Sequence, residues 1–256
     1  MIYTLTYQRA LNFGAVLQAY ALAKFLNNQG YPTQVIDYLP LYMHLQTKRP
    51  MKSISGSIAK YKKYKKFAQF RKQFLPLSAK TYYSNDALKH LPDITALLVG
   101  SDQVWNPKLH GKQFDTSFLF DFTDANKKIA YAASAGSVRF ANVCDQSMTK
   151  LLSDFTAVGC REQVLKEDVD TLLHANIGTE VVLDPSLLIQ DYTEVEDISC
   201  VPQFDYVVSY VVGSGEMLTT FNERVAEAKS LFGLPVIHIG AKAVSNADEN
   251  RLDIGP

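Results

Sequence analysis

The sequence predicts an α/β protein built on an open, largely parallel sheet, and three observations carry that prediction. Short β-favouring apolar runs alternate with stretches of helical period. One of those runs, Leu97-Leu98-Val99, stops abruptly at Gly100-Ser101-Asp102-Gln103, just ahead of Trp105, the one Trp in the chain. In open α/β sheets the loops beyond the carboxyl ends of strands hold ligands. Finally, the pattern lapses over residues 188–203, where Asp191, Glu194, Glu196 and Asp197 mark a linker, and then restarts. Two domains follow, residues 1–190 and 203–256.

Taken in order, residues 2–7 are apolar and β-favouring, and a polar loop follows over residues 8–12. Val16, Leu17, Tyr20, Leu22, Phe25 and Leu26 then give a helix a broad buried face, closed by Gly30. Gln34-Val35-Ile36-Asp37-Tyr38 is the next strand, completing a βαβ unit with Asn12 and Gly14 at the helix mouth, where free N–H groups favour an anion. Asp37 stands where a ribose-binding acid would in a dinucleotide fold, but the glycine fingerprint is missing, so NAD is discounted. The aromatic run Phe118-Leu119-Phe120-Asp121-Phe122 precedes a strand from Lys127 that runs into the small-residue turn Ser134-Ala135-Gly136. A helix over residues 145–153, a strand at Ala157-Val158-Gly159-Cys160, a helix from about 162 to 173 and a strand at Val181-Val182-Leu183 complete the first domain. In the second, residues 205–213 read as a buried strand, 216–232 as an amphipathic helix and 234–239 as the next strand. One βαβ unit cannot cover both its faces, so the second domain is expected to be truncated or completed by association.

Residues 41–80 differ in character: eleven Lys and Arg occur without one Asp or Glu between Asp37 and Asp86. Ile58, Tyr61, Tyr64, Phe67, Phe70 and Phe74 recur at steps of three or four, as in an amphipathic helix ringed by lysines. Such a helix could bind an anionic membrane surface, a lipid-linked acceptor with its diphosphate, or nucleic acid. The favoured expectation is a helix docked by its aromatic face with a solvated basic side, and the charge asymmetry adds only an expectation of membrane-surface proximity. Nucleic acid is not an expected partner. The chain has 256 residues, 47% of them hydrophobic, and formal net charge +0, enough for a sizeable core. It contains no run of about 18 apolar residues to span a membrane and no basic leader at Met1-Ile2-Tyr3, so a cytoplasmic location, with possible contact at the inner face of the membrane, is expected. Cys144, Cys160 and Cys200 lack a CxxC spacing and the five His are scattered, so neither disulfides nor a metal is expected.

The candidate site gathers at strand ends. Gly100 lets the backbone turn sharply or meet a ligand closely. Ser101, Asp102, Gln103 and Asn106 supply donors and acceptors beside a stacking wall, Trp105. Ser134 and Gly136 leave room at the same edge. Arg161, at a strand end, has the planar fork suited to a carboxylate or phosphate, with a structural ion pair to Glu162 as the competing reading.

These segments, Asn12-Phe13-Gly14-Ala15-Val16-Leu17-Gln18-Ala19-Tyr20-Ala21-Leu22, Val35-Ile36-Asp37-Tyr38, Val99-Gly100-Ser101-Asp102-Gln103-Val104-Trp105-Asn106, Lys128-Ile129-Ala130-Tyr131-Ala132-Ala133-Ser134-Ala135-Gly136, Arg161-Glu162 and Leu183-Asp184-Pro185, resemble in that order the polysaccharide pyruvyl transferase family. The resemblance implies a GT-B-like fold of two Rossmann-like domains. It also implies transfer of pyruvate from phosphoenolpyruvate, the donor substrate, to hydroxyls of a sugar or lipid-linked oligosaccharide as a ketal during exopolysaccharide or cell-wall polysaccharide biosynthesis. No cofactor is implied. Such chemistry needs a general acid to protonate the enol methylene and cationic groups to hold carboxylate and phosphate. Residue type then assigns Arg161 and Glu162 to catalysis. Asn12 and Gly14 go to phosphate or acceptor, Ser101, Asp102, Gln103 and Trp105 to the sugar side, and Gln18 and Asn106 to substrate binding. The family's Ser-Phe-His-Gly-like segment, whose His resembles the general acid, has no counterpart here. His238 lacks that context and reads as structural, and the acid is expected beyond Pro256. Two other readings stay open: a nucleotide-sugar glycosyltransferase of GT-B type, with Gly213-Ser214-Gly215 as a weak diphosphate loop, and a non-catalytic carbohydrate-binding or membrane-docking component of polysaccharide assembly.

Overall fold

Alternation of strand and helix produces a doubly wound sheet in the first part of the chain. The computed structural model describes residues 1–51, 53–175, 177–210, 216–239 and 251–252. Two compact units divide the chain, the first from Met1 to Asp191 and the second from Tyr192 onward. In the first, β1 (Ile2–Leu5), β2 (Thr33–Tyr38), β3 (Leu77–Tyr82), β4 (Ala96–Val99), β5 (Lys128–Ala133), β6 (Ala157–Cys160) and β7 (Thr179–Val181) form one seven-stranded sheet in the order β3-β2-β1-β4-β5-β6-β7. Every pairing is parallel. The order reverses between β1 and β4, so right-handed crossovers place the helices after β1 and β2 on one face and those after β5 and β6 on the other. That makes the unit Rossmann-like.

The central strands are buried on both faces, which is why they read as continuous apolar runs. Helix α1 (Phe13–Asn28) starts where the Asn12 side chain accepts from the Ala15 N–H, and it ends at Gly30, left-handed at φ 80°. Between these it buries Val16, Tyr20 and Leu22 among four alanines. Each fully buried Val or Leu contributes about 1.5–3 kcal/mol. Beyond β3 the short α4 (Asn85–Leu88) is capped by Ser84, and beyond β5, α5 (Gln146–Ser153) is capped by Asp145 and α6 (Gln163–Leu172) leads from Glu162 to β7.

The basic insertion forms α2 (Leu41–Lys48) and α3 (Ile54–Phe74). The aromatic stripe of α3 is split rather than docked along its length. Phe67 and Phe70 are buried and meet Phe13 and Tyr20 of α1 at ring-centroid distances of 5.4 and 6.1 Å. Ile58 and Tyr61 are 52% and 58% exposed. The reason is length: α1 underlies only the later turns of a 21-residue helix. Lys60 Nζ ties the earlier turns down by donating to the Gln46 and Arg49 carbonyls at 3.0 and 2.7 Å.

The aromatic run at residues 118–122 enters the core through a 3-10 turn, Thr116–Leu119, with Phe120 left-handed behind it. In the second unit, β8 (Val207–Tyr210), α7 (Glu216–Phe232) and β9 (Val236–Ile239) give the expected βαβ unit. A further strand, β10 (Arg251–Leu252), pairs parallel with β9 and corrects the expectation of a sheet with nothing after Ile239; two residues are too few to show a strand period in sequence. His238 is buried in β9 and hydrogen-bonded with Ser209. Gly213-Ser214-Gly215 lies outside the described residues.

Candidate active site

Parallel pairing puts the loops after β1, β4, β5, β6 and β7 on one edge, and the strand-order reversal between β1 and β4 opens a crevice there. A cleft of about 390 Å³ occupies it, with Tyr7, Arg9 and Asn12 from the β1 loop facing Asp102 and Gln103 from the β4 loop. Met43, Gln46 and Lys60 close it from the insertion.

Beneath and beside the cleft runs a chain of matched polar groups. Gln18, buried in α1, donates from Nε2 to the Thr6 hydroxyl at 2.8 Å, and Thr6 donates to the Ser101 carbonyl at 2.6 Å. Ser101 Oγ donates to Asp184 Oδ2 at 2.6 Å, which ties the β4 loop to the segment after β7. Arg161 stands between two carboxylates, with Nε 3.0 Å from Glu162 Oε1 and Nη1 3.5 Å from Asp184 Oδ2. Glu162 Oε1 also accepts from Ser134 Oγ at 2.7 Å, and Ser134 Oγ accepts in turn from the Gly136 N–H. Three acceptor or donor positions of this chain stay open among the described residues: Arg161 Nη2, and Glu162 Oε2 and Gln18 Oε1, both buried without a hydrogen-bond partner.

The environments of the two aspartates diverge. Burial pushes the Asp102 carboxyl up; a hydrogen bond from the Gln103 N–H and the Arg161 charge offset this only in part, and Asp184 adds to it. Asp102 is also left-handed at φ 83°, a conformation Asp tolerates better than most residues, and it bridges to Ala133 at an irregularity of β5. Burial pushes Asp184 up as well, but bonds from Ser101 and from Ser186, with the Arg161 charge, outweigh it and hold that carboxyl below its usual range. Two carboxylates on one edge are thereby driven apart in acidity, as acid–base pairs are.

Of the residues expected at the site, Asn12, Asp102 and Gln103 line the cleft, and Arg161 and Glu162 are partly exposed next to Ser101. Others serve the scaffold. Trp105 is 0% exposed, stacked on Phe140 with its Nε1 donating to the Phe118 carbonyl, so the wall expected of it faces the core. Asn106 is buried, spending its amide on Gln103 and on the Lys108 N–H. The space beside Gly100 is filled by Thr6 and Gln18, and that beside Gly136, left-handed at φ 62°, by Gln103; a Cβ there would lie 2.6 Å from the Gln103 oxygen. Gly14 lies against the Asn12 side chain, which caps α1. Gly100 and Gly136 thus leave room for neighbouring side chains. The sequence reading passed over Thr6, Tyr7 and Arg9, which follow a short strand without any motif glycine, and the part Asp184 plays in the cluster. Asp37, discounted for ribose, accepts a two-pronged bond from Arg9 at 2.6 and 2.5 Å. Among the described residues no group of three or more His, Cys, Asp or Glu is placed to hold a metal ion.

A Rossmann-like sheet with a polar cleft and an ion cluster at its switch point belongs to the class of α/β proteins that bind ligands at the carboxyl edge. The particular family follows from sequence: residues 12–237 match the family model described as Polysaccharide pyruvyl transferase, and the chain belongs to that family. No curated protein matches the chain.

Proposed function

We propose that the protein transfers pyruvate from phosphoenolpyruvate to two hydroxyls of a sugar, forming a ketal in the assembly of an exopolysaccharide or cell-wall polysaccharide. The observation that supports this most is the meeting of the family's segments on one edge: Asn12, Ser101 to Gln103, Ser134, Arg161-Glu162 and Asp184 come from loops after five different strands. In the reaction one sugar hydroxyl adds to the central carbon of the enol while its methylene takes a proton to become methyl. A second hydroxyl then displaces phosphate, which leaves with the bond electrons and takes up that hydroxyl's proton. Arg161, restrained by Glu162 and Asp184, offers Nη2 to the donor's carboxylate or phosphate. Asp102, its carboxyl raised by burial, accepts the proton of the attacking hydroxyl. A GT-B-like pairing of two Rossmann-like units is part of this reading.

The acceptor is proposed to be a sugar or lipid-linked oligosaccharide, met by a protein working in the cytoplasm against the inner face of the membrane. No described helix is long and apolar enough to cross a membrane. The support for surface contact is a patch of Leu41, Leu45, Met51, Ile54, Ile58 and Tyr61, all more than half exposed, within the insertion that lacks acidic residues. Phosphate release and pyruvate incorporation, measured with phosphoenolpyruvate and a panel of free and lipid-linked sugars, test the reading. Turnover with phosphoenolpyruvate supports it. Thermal stabilisation by nucleotide sugars, with no turnover of phosphoenolpyruvate, replaces it with glycosyl transfer.

A further inference from the structure

Arg71 occupies a position where packing asks for an apolar residue. It lies on the docked half of α3, follows Phe70, and is 4% exposed. Its Nη1 is buried without a hydrogen-bond partner. Burial and the nearby charge of Arg9 both press on its guanidinium, and the charges of Tyr64 and Asp37 offset this only in part, so its pKa falls below the ordinary value. A buried cation with an unpaired N–H is destabilising, and an apolar side chain of similar volume would remove that cost. Retention of an Arg here therefore needs a reason outside folding.

That reason is in the cavity it lines. A space of about 370 Å³ lies between the insertion and the end of β2, and Arg9, Lys48, Arg49, Lys60 and Arg71 line it with no acidic side chain among its described lining residues. Asp37 engages Arg9 from outside that lining. Leu39, Tyr61 and Tyr64 give it an apolar, aromatic wall. Arg9, Thr47 and Lys60 line both this cavity and the cleft that holds Asp102, so a ligand anchored in one reaches the other. With Arg9 already paired to Asp37, the four further cations Lys48, Arg49, Lys60 and Arg71 still exceed what one phosphate monoester balances, and the volume exceeds what an inorganic ion fills. We propose that this cavity is a second anion site, which takes the diphosphate of an organic diphosphate whose attached group extends toward Asp102. That the attached group is the acceptor sugar rests on the pyruvyl-transfer reading; the diphosphate site itself does not.

Calorimetric titration of the full chain, without phosphoenolpyruvate and at fixed ionic strength, separates the two. The probes are inorganic pyrophosphate, farnesyl diphosphate and uridine diphosphate. One saturable site for pyrophosphate is expected, weakened at least tenfold by Arg71→Met and less than twofold by Lys62→Gln with Lys72→Gln, which removes exposed charges outside the cavity. Tighter binding of farnesyl diphosphate assigns the site to a lipid carrier, and tighter binding of uridine diphosphate to a nucleotide. Lys48→Ala with Arg49→Ala, both exposed, carries the same test at roughly threefold or more should Arg71→Met fail to fold. The proposal is overturned if none of the three probes saturates, or if the Lys62/Lys72 variant loses as much affinity as Arg71→Met.

Discussion

The Ser101–Arg161 cluster and the Arg9–Arg71 cavity belong to the same unit, yet they treat charge in opposite ways. In the cluster Arg161 is shared by Glu162 and Asp184, both carboxylates accept hydroxyl bonds, and the Gln18 amide nitrogen is tied to Thr6, although Glu162 Oε2 and Gln18 Oε1 are each left buried without a partner. In the cavity one guanidinium is matched, by Asp37, while the other keeps a buried N–H without a partner. Matched groups hold a geometry; unmatched ones leave interaction energy available to a ligand. The family's most recognisable residues therefore shape the site, and the strongest unsatisfied charge sits in an insertion that carries no motif.

Trp105→Ala breaks the matched side most severely. The ring supports the loop from within the core, so the change is expected to cost about 3–5 kcal/mol, read by denaturant unfolding. Turnover then falls through loss of folded protein, and pyrophosphate binding at the cavity falls with it. Arg161→Met attacks the cluster without emptying the core. A fall in kcat/KM for phosphoenolpyruvate of about 10²–10³ is expected, as for removal of one group that stabilises developing charge, with pyrophosphate affinity at the cavity unchanged. Equal losses of both would show that the two regions are one site.

Arg71→Met tests the unmatched side in the opposite sense. Removing a buried, unpaired cation is expected to stabilise the protein by about 1 kcal/mol, or about 2–4 °C in a thermal scan. A drop of that size would mean the guanidinium has a structural partner. The smallest effect concerns pH. Because Asp102 is raised from its ordinary value of 3.8, the folded protein keeps that proton to higher pH than the unfolded chain does. Asp102 thus subtracts stability as pH rises from 3.8 through its raised value. If it accepts the sugar proton, kcat/KM rises with pH over the upper part of the same range. Asp102→Asn is expected to flatten both limbs.

Much of the first unit could be read directly. β1, α1 and β2 announce themselves through an apolar run, a helical period closed by Gly30, and a second run ending at Asp37. The site was legible as a place, since Gly100-Ser101-Asp102-Gln103 and Arg161-Glu162 each end a strand of the same sheet. Individual roles were less so. Gln18, Trp105, Asn106 and Gly136 have the residue types of a binding site, but burial turns them into supports. Arg71 looked like one of eleven solvated cations until α3 was seen to dock by its later turns.

The α/β alternation, the capped helices and the family follow from local sequence, because propensity, period and motif are properties of neighbouring residues. Tertiary structure alone decided which polar groups find partners. Ser101 meets Asp184 across 83 residues and Arg9 meets Asp37 across 28, distances over which no local pattern can specify a hydrogen bond. It likewise decided that Arg71 faces Arg9 rather than water, since the side of a helix that is buried depends on what packs against it.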